Sequence, residues 1–397
     1  MRQELPLLTP IRGFAALFVA YFHARLVLFP QFRDEIASHT LFLEVGFIWV
    51  DLFFILSGFV MMHVYRDSFT SGLSFKAWRQ FMWLRFSRIY PLFLVTIAVL
   101  VLWETFKYFN GILFYGGPLL EYWGLSGIPA FQGPYNVPQT LMSNLFLLQS
   151  LDASSALTWN FPAWSLSVEW LSYMLFPVIV CMVPHGAKRG VWLPILMLFL
   201  LYSMATTHGT IDLTSGPQAL FRALCGFTLG MWLSMVNLPT LVKRLANNDV
   251  VMFSIVAAMI YLLHAGASIQ QGVMVYALFG LLVLFGANQE KRRSLFLAIF
   301  DNRATRFLGD ISYSLYLWHA VVLLVGVEVV NYLAPEFLSW WYEQTTGYYL
   351  ALSMVLFTAF LIALSTLTYR FIERPALKAL RRVGKNKHVE LDSNQVS

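Results

Sequence analysis

Charge is what this chain has least of. Only 12% of its 397 residues are Asp, Glu, Lys or Arg, while 58% are hydrophobic; an ordinary soluble domain is ~45–50% apolar and ~25% charged. A soluble fold is excluded on that ground, and with it a nucleic-acid partner, although the formal net charge is +6. Cysteine is nearly absent: Cys181 and Cys225 both lie in apolar runs, so neither a disulfide framework nor a Cys-based zinc site is available. No cleavable leader is expected, because the first apolar run itself carries Arg12 and His23. Internal repeats, low-complexity tracts and a linker to a second folded domain are also missing.

What is present is long apolar runs. A helix needs roughly 20 mostly apolar residues to cross a bilayer, and such runs occur near 7–29, 43–65, 89–105, 163–184, 191–206, 218–236, 250–265, 272–287, 311–332 and 348–369. The expected fold is therefore all-α, a polytopic membrane bundle of about ten transmembrane helices. Lys and Arg collect in every second loop, and cytoplasmic loops carry that excess. With both termini cytoplasmic, 22 of the 27 basic residues lie inside, Arg25, Arg33 and Lys107 lie outside, and Arg12 and Arg222 are within spans. Residues 1–376 form the membrane domain and 377–397 a basic, then polar, tail suited to anionic headgroups. The connection before residue 163 is rich in Gly and Pro, and residues 139–150 read as a short amphipathic lid or shoulder on the outer face.

Ionisable groups within spans are costly in lipid and mark function or internal pairing. Arg12 and His23 are eleven residues apart, three turns plus about 20°, so they share one face of the first span roughly 16 Å apart. Asp51, Glu169 and Arg222 fall at a depth similar to that of His23. One layer is thus expected to hold a histidine, two carboxylates and an arginine. A histidine whose tautomer is set by a carboxylate can deprotonate a hydroxyl or accept an acyl group. Two plainer readings stand beside it: His23 as an interhelical hydrogen-bond partner, and Glu169 as the neutraliser of Arg222. Arg85 and Arg88 lie on one helical face at the inner end of the third span, suited to bidentate phosphate binding or to ordinary positive-inside anchoring. Ser312, Tyr316 and His319 make a polar stripe on the ninth span.

Six blocks in order then carry a resemblance: Arg12 with His23, Val50-Asp51-Leu52-Phe53-Phe54-Ile55-Leu56-Ser57-Gly58-Phe59, Arg85-x-x-Arg88, Trp164-Ser165-Leu166-Ser167-Val168-Glu169, Ile311 to His319, and Phe371-Ile372-Glu373-Arg374-Pro375. Together they resemble the acyltransferase family 3 membrane proteins over essentially the whole chain. Thr9 stands where that family usually has an acid, and Trp170 where a second acid usually follows Glu169. The resemblance implies an O-acyltransferase drawing on cytoplasmic acyl-CoA, acetyl-CoA first among the candidates, and requiring no metal. It also implies a catalytic role for His23 and donor binding by Arg12, Arg85 and Arg88. Glu169 and Asp51 are the candidates for orienting His23. Arg222, Trp164, Ser167, Tyr313 and His319 are the candidate substrate-binding residues. The acceptor is expected to be a hydroxyl of a carbohydrate or glycolipid at the outer face of a bacterial inner membrane. A transporter or flippase of a glycan or lipid-linked precursor is the competing class, since intramembrane charges also line substrate paths.

Overall fold

The computed structural model describes residues 5, 7–69, 72–152, 154–182, 190–266, 268–290 and 292–382. Arg2, Lys188, Arg189, Lys291, Lys385, Lys387 and the tail from 383 lie outside the described residues, as does the end of the expected 163–184 run. Each apolar run folds as a helix of 17 residues or more: α1 Leu8–Val27, α2 Trp49–Tyr65, α3 Phe75–Asn110, α4 Trp164–Met182, α5 Trp192–His208, α6 Gly216–Ser234, α7 Asp249–Ala265, α8 Ile269–Ala287, α9 Ser312–Leu333 and α10 Gly347–Thr368. No strand occurs among the described residues. Six helical segments are long and apolar enough to cross a membrane, or eight if each of two sharply bent pairs counts as one span. That is fewer than the ten expected. α5 falls short on length, and α6 is diluted by glycine, Gln218 and Arg222.

The largest departure from the expected boundaries is α3. The polar look of residues 75–88 suggests a loop, yet Trp78, Phe81, Met82 and Arg85 recur at helical spacing, and the helix runs for 36 residues. At 1.5 Å per residue it is about 54 Å long, well beyond a ~30 Å hydrocarbon core. Ser74 caps its start by accepting from the Ala77 amide, and Gly111, at φ 64°, ends it in the left-handed conformation. Arg85 and Arg88 therefore sit on a rigid helix.

Tight glycine contacts set the interior. A Cβ on Gly230 of α6 would lie 1.9 Å from the Ile55 carbonyl of α2, and one on Gly58 of α2 would lie 1.9 Å from the Phe227 carbonyl of α6. Only bare backbones can approach so closely, the small-residue packing by which membrane helices associate. Arg222, Gly226 and Gly230 recur every four residues, so the stripe that carries the glycines also turns Arg222 toward α2. α1 is enclosed by similar means: Ala15, Ala16, Val19, Ala20 and Ala24 are fully buried. The short helix Arg303–Asp310 presses Gly309 against the Thr9 carbonyl.

At the end of the bundle where α1 finishes, residues 111–163 fold back as a roof. The expected 139–150 segment contains a single-turn helix, Leu141–Leu145, and is clamped to the start of α4. The Ser150 hydroxyl donates to the Trp164 carbonyl at 2.6 Å, and Gln149 donates to the Ala163 carbonyl at 2.9 Å. The roof is anchored to α3 and α9 by a buried cluster. Lys107 bridges Glu104 (2.9 Å) and Glu328 (2.6 Å), and Glu104 accepts from the Phe131 amide and the Asn136 side chain, each at 2.9 Å. Sequence reading had placed Lys107 in an outer loop; the length of α3 makes it a helical residue with no exposed surface.

Candidate active site

The polar residues fall into three groups. At the Arg12 end, a cavity of about 410 Å³ is lined by Arg12, Arg85, Arg88, Glu169, Tyr173 and Tyr313, and it reaches Ser165 and Tyr316 at its far end. Arg12 has no hydrogen-bond or ion-pair partner among the described residues. Arg85 donates to the Tyr65 hydroxyl at 2.6 Å, with its guanidinium 5.0 Å from that ring, and its Nε is buried without a partner. Arg88 is held by Glu373, which also accepts from Ser314 at 2.6 Å. This gives Glu373 of the Phe-Ile-Glu-Arg-Pro block its role as a buttress at the mouth. Glu169 accepts from Ser57 and from Tyr173, which stands one turn along α4. Half-buried guanidinium groups with unfilled donors attract an anion, and a phosphate matches their geometry.

The second group is a closed ion pair. Arg222 meets Asp51 in a bidentate contact, 2.9 Å at each oxygen, with both side chains fully buried. Asp212 adds a second carboxylate at 2.8 Å, and Tyr276 donates to Asp51 at 3.0 Å. Trp164 lies against this pair, its ring 5.2 Å from the Arg222 guanidinium.

The third group contains His23. Its Nδ1 is 3.0 Å from the Val19 carbonyl and 3.0 Å from Nε2 of His319, and the two rings stack with centroids 5.0 Å apart. Phe22 and Phe161 enclose the imidazole edge-on at 4.7 and 4.9 Å. Tyr316 joins this group to the cavity: its ring is 5.5 Å from His319, its hydroxyl is 2.7 Å from Ser165, and it lines the cavity's end. Three residues of α9, a rise of about 4.5 Å, thus separate Tyr316 at the cavity's end from His319.

The single layer expected from depth is therefore divided. Asp51 faces Arg222, Glu169 faces the arginine cavity, and no carboxylate contacts His23 among the described residues. Depth along a helix does not specify the direction a side chain takes around it. Ser167 is also turned away from the cavity, its hydroxyl donating to the Leu147 carbonyl at 2.8 Å. Tyr313 lines the cavity and donates to the Ile89 carbonyl. Ser57, Tyr65 and Tyr173 are not among the candidate site residues read from the sequence; Ser57 lies within a quoted block, and Tyr65 and Tyr173 lie a few residues beyond one, each in contact with Glu169 or Arg85. Beyond α1, Glu44 binds both Arg25 (2.8 Å) and Arg33 (3.2 Å). Burial alone would raise the Glu44 carboxyl, but the hydrogen bonds from Arg25 and Arg33 outweigh it and hold it below its ordinary range.

A family model described as an acyltransferase domain matches residues 8–370. The chain belongs to that acyltransferase family. Among its relatives, Acyltransferase MdmB of Streptomyces mycarofaciens is 33% identical over 193 residues, 48% of this chain and 42% of that one. Peptidoglycan O-acetyltransferase OatA of Listeria monocytogenes is 23% identical over 350 residues, covering 84% of this chain and 51% of the relative. Protein 2 in picA locus of Rhizobium radiobacter is 32% identical over 173 residues, 41% of this chain and 75% of its own. The chain thus spans about half the length of the first two relatives. No solved structure matches. The matched region of the acyltransferase family includes α1 to α10 and, apart from Glu373, the three polar groups.

Proposed function

We propose that this protein is an integral-membrane O-acyltransferase that moves an acyl group, acetyl first among the candidates, from cytoplasmic acyl-CoA to a hydroxyl of a carbohydrate or glycolipid at the outer face of a bacterial inner membrane. The observation that carries the reading is the cavity with under-satisfied guanidinium groups at one end and, one turn beyond its other end, a paired histidine. In the ten-span topology, with both termini cytoplasmic, the Arg12 end is the cytoplasmic mouth. Arg12, Arg85 and Arg88 hold the donor's phosphates there. The flexible arm of the donor extends along the face that Arg12 shares with His23, past Tyr316, and brings the thioester to the imidazole. Proximity of thioester, base and acceptor hydroxyl is the main contribution of such a site. His23 Nε2 then acts as the base for the acceptor hydroxyl, or takes the acyl group first; both courses use the same ring nitrogen.

Purified protein supplied with labelled acyl-CoA and candidate acceptors tests the reading. His23→Ala is expected to abolish transfer, and transfer at the wild-type rate would refute the assignment. Arg12→Gln and Arg85→Gln are expected to raise the apparent KM for the donor by about tenfold, the equivalent of one charge-assisted hydrogen bond, and to leave that for the acceptor unchanged. An effect confined to the acceptor would overturn the donor role.

A further inference from the structure

We infer that His319 is the positioning residue for His23, a neutral imidazole filling the place that a carboxylate takes in many histidine-based sites. The inference rests on the acyl-transfer reading above and assigns His319 a role other than contact with substrate. His23 Nδ1 has two neighbours at 3.0 Å, the Val19 carbonyl oxygen and His319 Nε2. A carbonyl oxygen only accepts, so its contact is a hydrogen bond when His23 Nδ1 carries the proton. His319 Nε2, facing the same N–H, must then present its lone pair and carry its own proton on Nδ1. The reverse arrangement would set the His23 lone pair against the Val19 oxygen. His23 Nε2 is thereby left as the basic nitrogen.

His319 has no exposed surface, and its ring faces the Leu315 and Tyr316 carbonyls of its own helix, which can accept only from a protonated Nδ1. The carboxylates near this depth are engaged elsewhere, Asp51 with Arg222 and Glu169 with Ser57 and Tyr173. Arg25, two residues along α1, is bound to Glu44. A neutral partner orients His23 without placing another charge in an apolar site, where ions are desolvated at high cost.

In direct transfer the acceptor O–H proton passes to His23 Nε2 while the hydroxyl oxygen bonds to the thioester carbonyl carbon. The C–S bond then breaks, and the departing thiolate takes that proton back from Nε2. Throughout, Nδ1–H remains on His23, and the transient imidazolium is shared with the His319 lone pair and the Val19 oxygen.

The test compares His319→Gln with His319→Leu in the full chain. The Gln amide oxygen can accept from His23 Nδ1–H, and Leu cannot. His319→Leu is expected to lower kcat by about 100-fold, within the range for a general base, with the donor KM changed by no more than about threefold. His319→Gln should recover at least about tenfold of that loss. Nitrogen-15 NMR of histidine-labelled protein, with the His23 signal identified by its loss in His23→Gln, should show the Nδ1–H form in wild type and in His319→Gln. His319→Leu, if folded, should show a mixture of tautomers. Equal losses in the two variants, a loss confined to KM, wild-type turnover in His319→Leu, or an Nε2–H His23 in the wild type would each overturn the inference. If His319→Leu does not fold, a folded His319→Gln without turnover overturns it. Absence of transfer by the wild type with every donor would instead defeat the functional reading, and the tautomer measurement would still decide the pairing.

Discussion

Asp51→Asn separates a framework role from a catalytic one. The carboxylate and Arg222 are both fully buried and meet in a bidentate contact, 2.9 Å at each oxygen. Removing the charge leaves a buried guanidinium with one amide oxygen in place of the carboxylate, besides Asp212 at 2.8 Å, the Phe47 carbonyl at 3.2 Å and the Leu213 carbonyl at 3.4 Å. Breaking a buried pair from one side costs about 3–5 kcal/mol. Asp212 still neutralises part of the charge, so the expected loss is at the lower end, about 3 kcal/mol, or roughly two powers of ten in the folding equilibrium. Thermal unfolding of the detergent-solubilised protein should drop by several degrees. Turnover of the folded fraction should change by no more than about threefold, because Asp51 does not contact His23. Asp51→Leu combined with Arg222→Met should regain stability, since apolar replacement of a whole buried pair is commonly neutral or stabilising. An Asp51→Asn protein with unchanged melting and turnover reduced about 100-fold would refute this reasoning and return Asp51 to the role of orienting His23.

Gly230→Ala puts a Cβ 1.9 Å from the Ile55 carbonyl, so α2 and α6 must separate. A loss of about 1–3 kcal/mol or more, read as reduced melting temperature and yield, is expected, and wild-type melting would contradict the close approach. Lys107→Met leaves Glu104 and Glu328 buried together without their cation, which should loosen the roof; limited proteolysis should then cut within residues 111–160 faster than in wild type. For Glu44, a folded-state carboxyl held low means stability that is complete above the ordinary Glu value of about 4.3 and lost as pH falls through the folded-state value. Melting should thus decline below about pH 4, and Glu44→Gln should melt lower at neutral pH with a shallower acid dependence.

The helices were legible because each is an apolar run broken by polar or glycine-rich residues, and the arginine mouth because Arg85 and Arg88 share a face by spacing alone. What sequence depth could not give was rotation about each helix axis. Asp51, Glu169, Arg222 and His23 lie at similar expected depths, yet they form three separate contacts. One signal was available: Arg222, Gly226 and Gly230 form a single stripe, and a glycine stripe faces the helix it packs on, here the one carrying Gly58 and Asp51. Lys107 was misplaced for a different reason. The apolar run reads as ending at residue 105, which leaves Lys107 in the outer loop, and only the continuation of α3 to Asn110 moves that charge inside, beside Glu104 and Glu328.

The pairing pattern itself marks where chemistry belongs. Burying an ion is costly unless it is compensated, and most of the buried ions are: Asp51 with Arg222, Glu104 and Glu328 with Lys107, Glu373 with Arg88. The exceptions cluster around α1. Arg12 has no partner among the described residues, Arg85 keeps a buried Nε without an acceptor, and His23 is matched by another neutral ring. Arg12 and His23 share one face of α1, roughly 16 Å apart. A helix enclosed by small residues and carrying a guanidinium without a direct ion-pair contact at one end and an uncharged base at the other is suited to a ligand that is anionic at its head and reactive at its tail. On this argument a change that rotates α1, such as Gly13→Leu at its contact with Leu308 and Gly309, should impair donor binding and turnover together, whereas a change confined to the roof should spare donor binding.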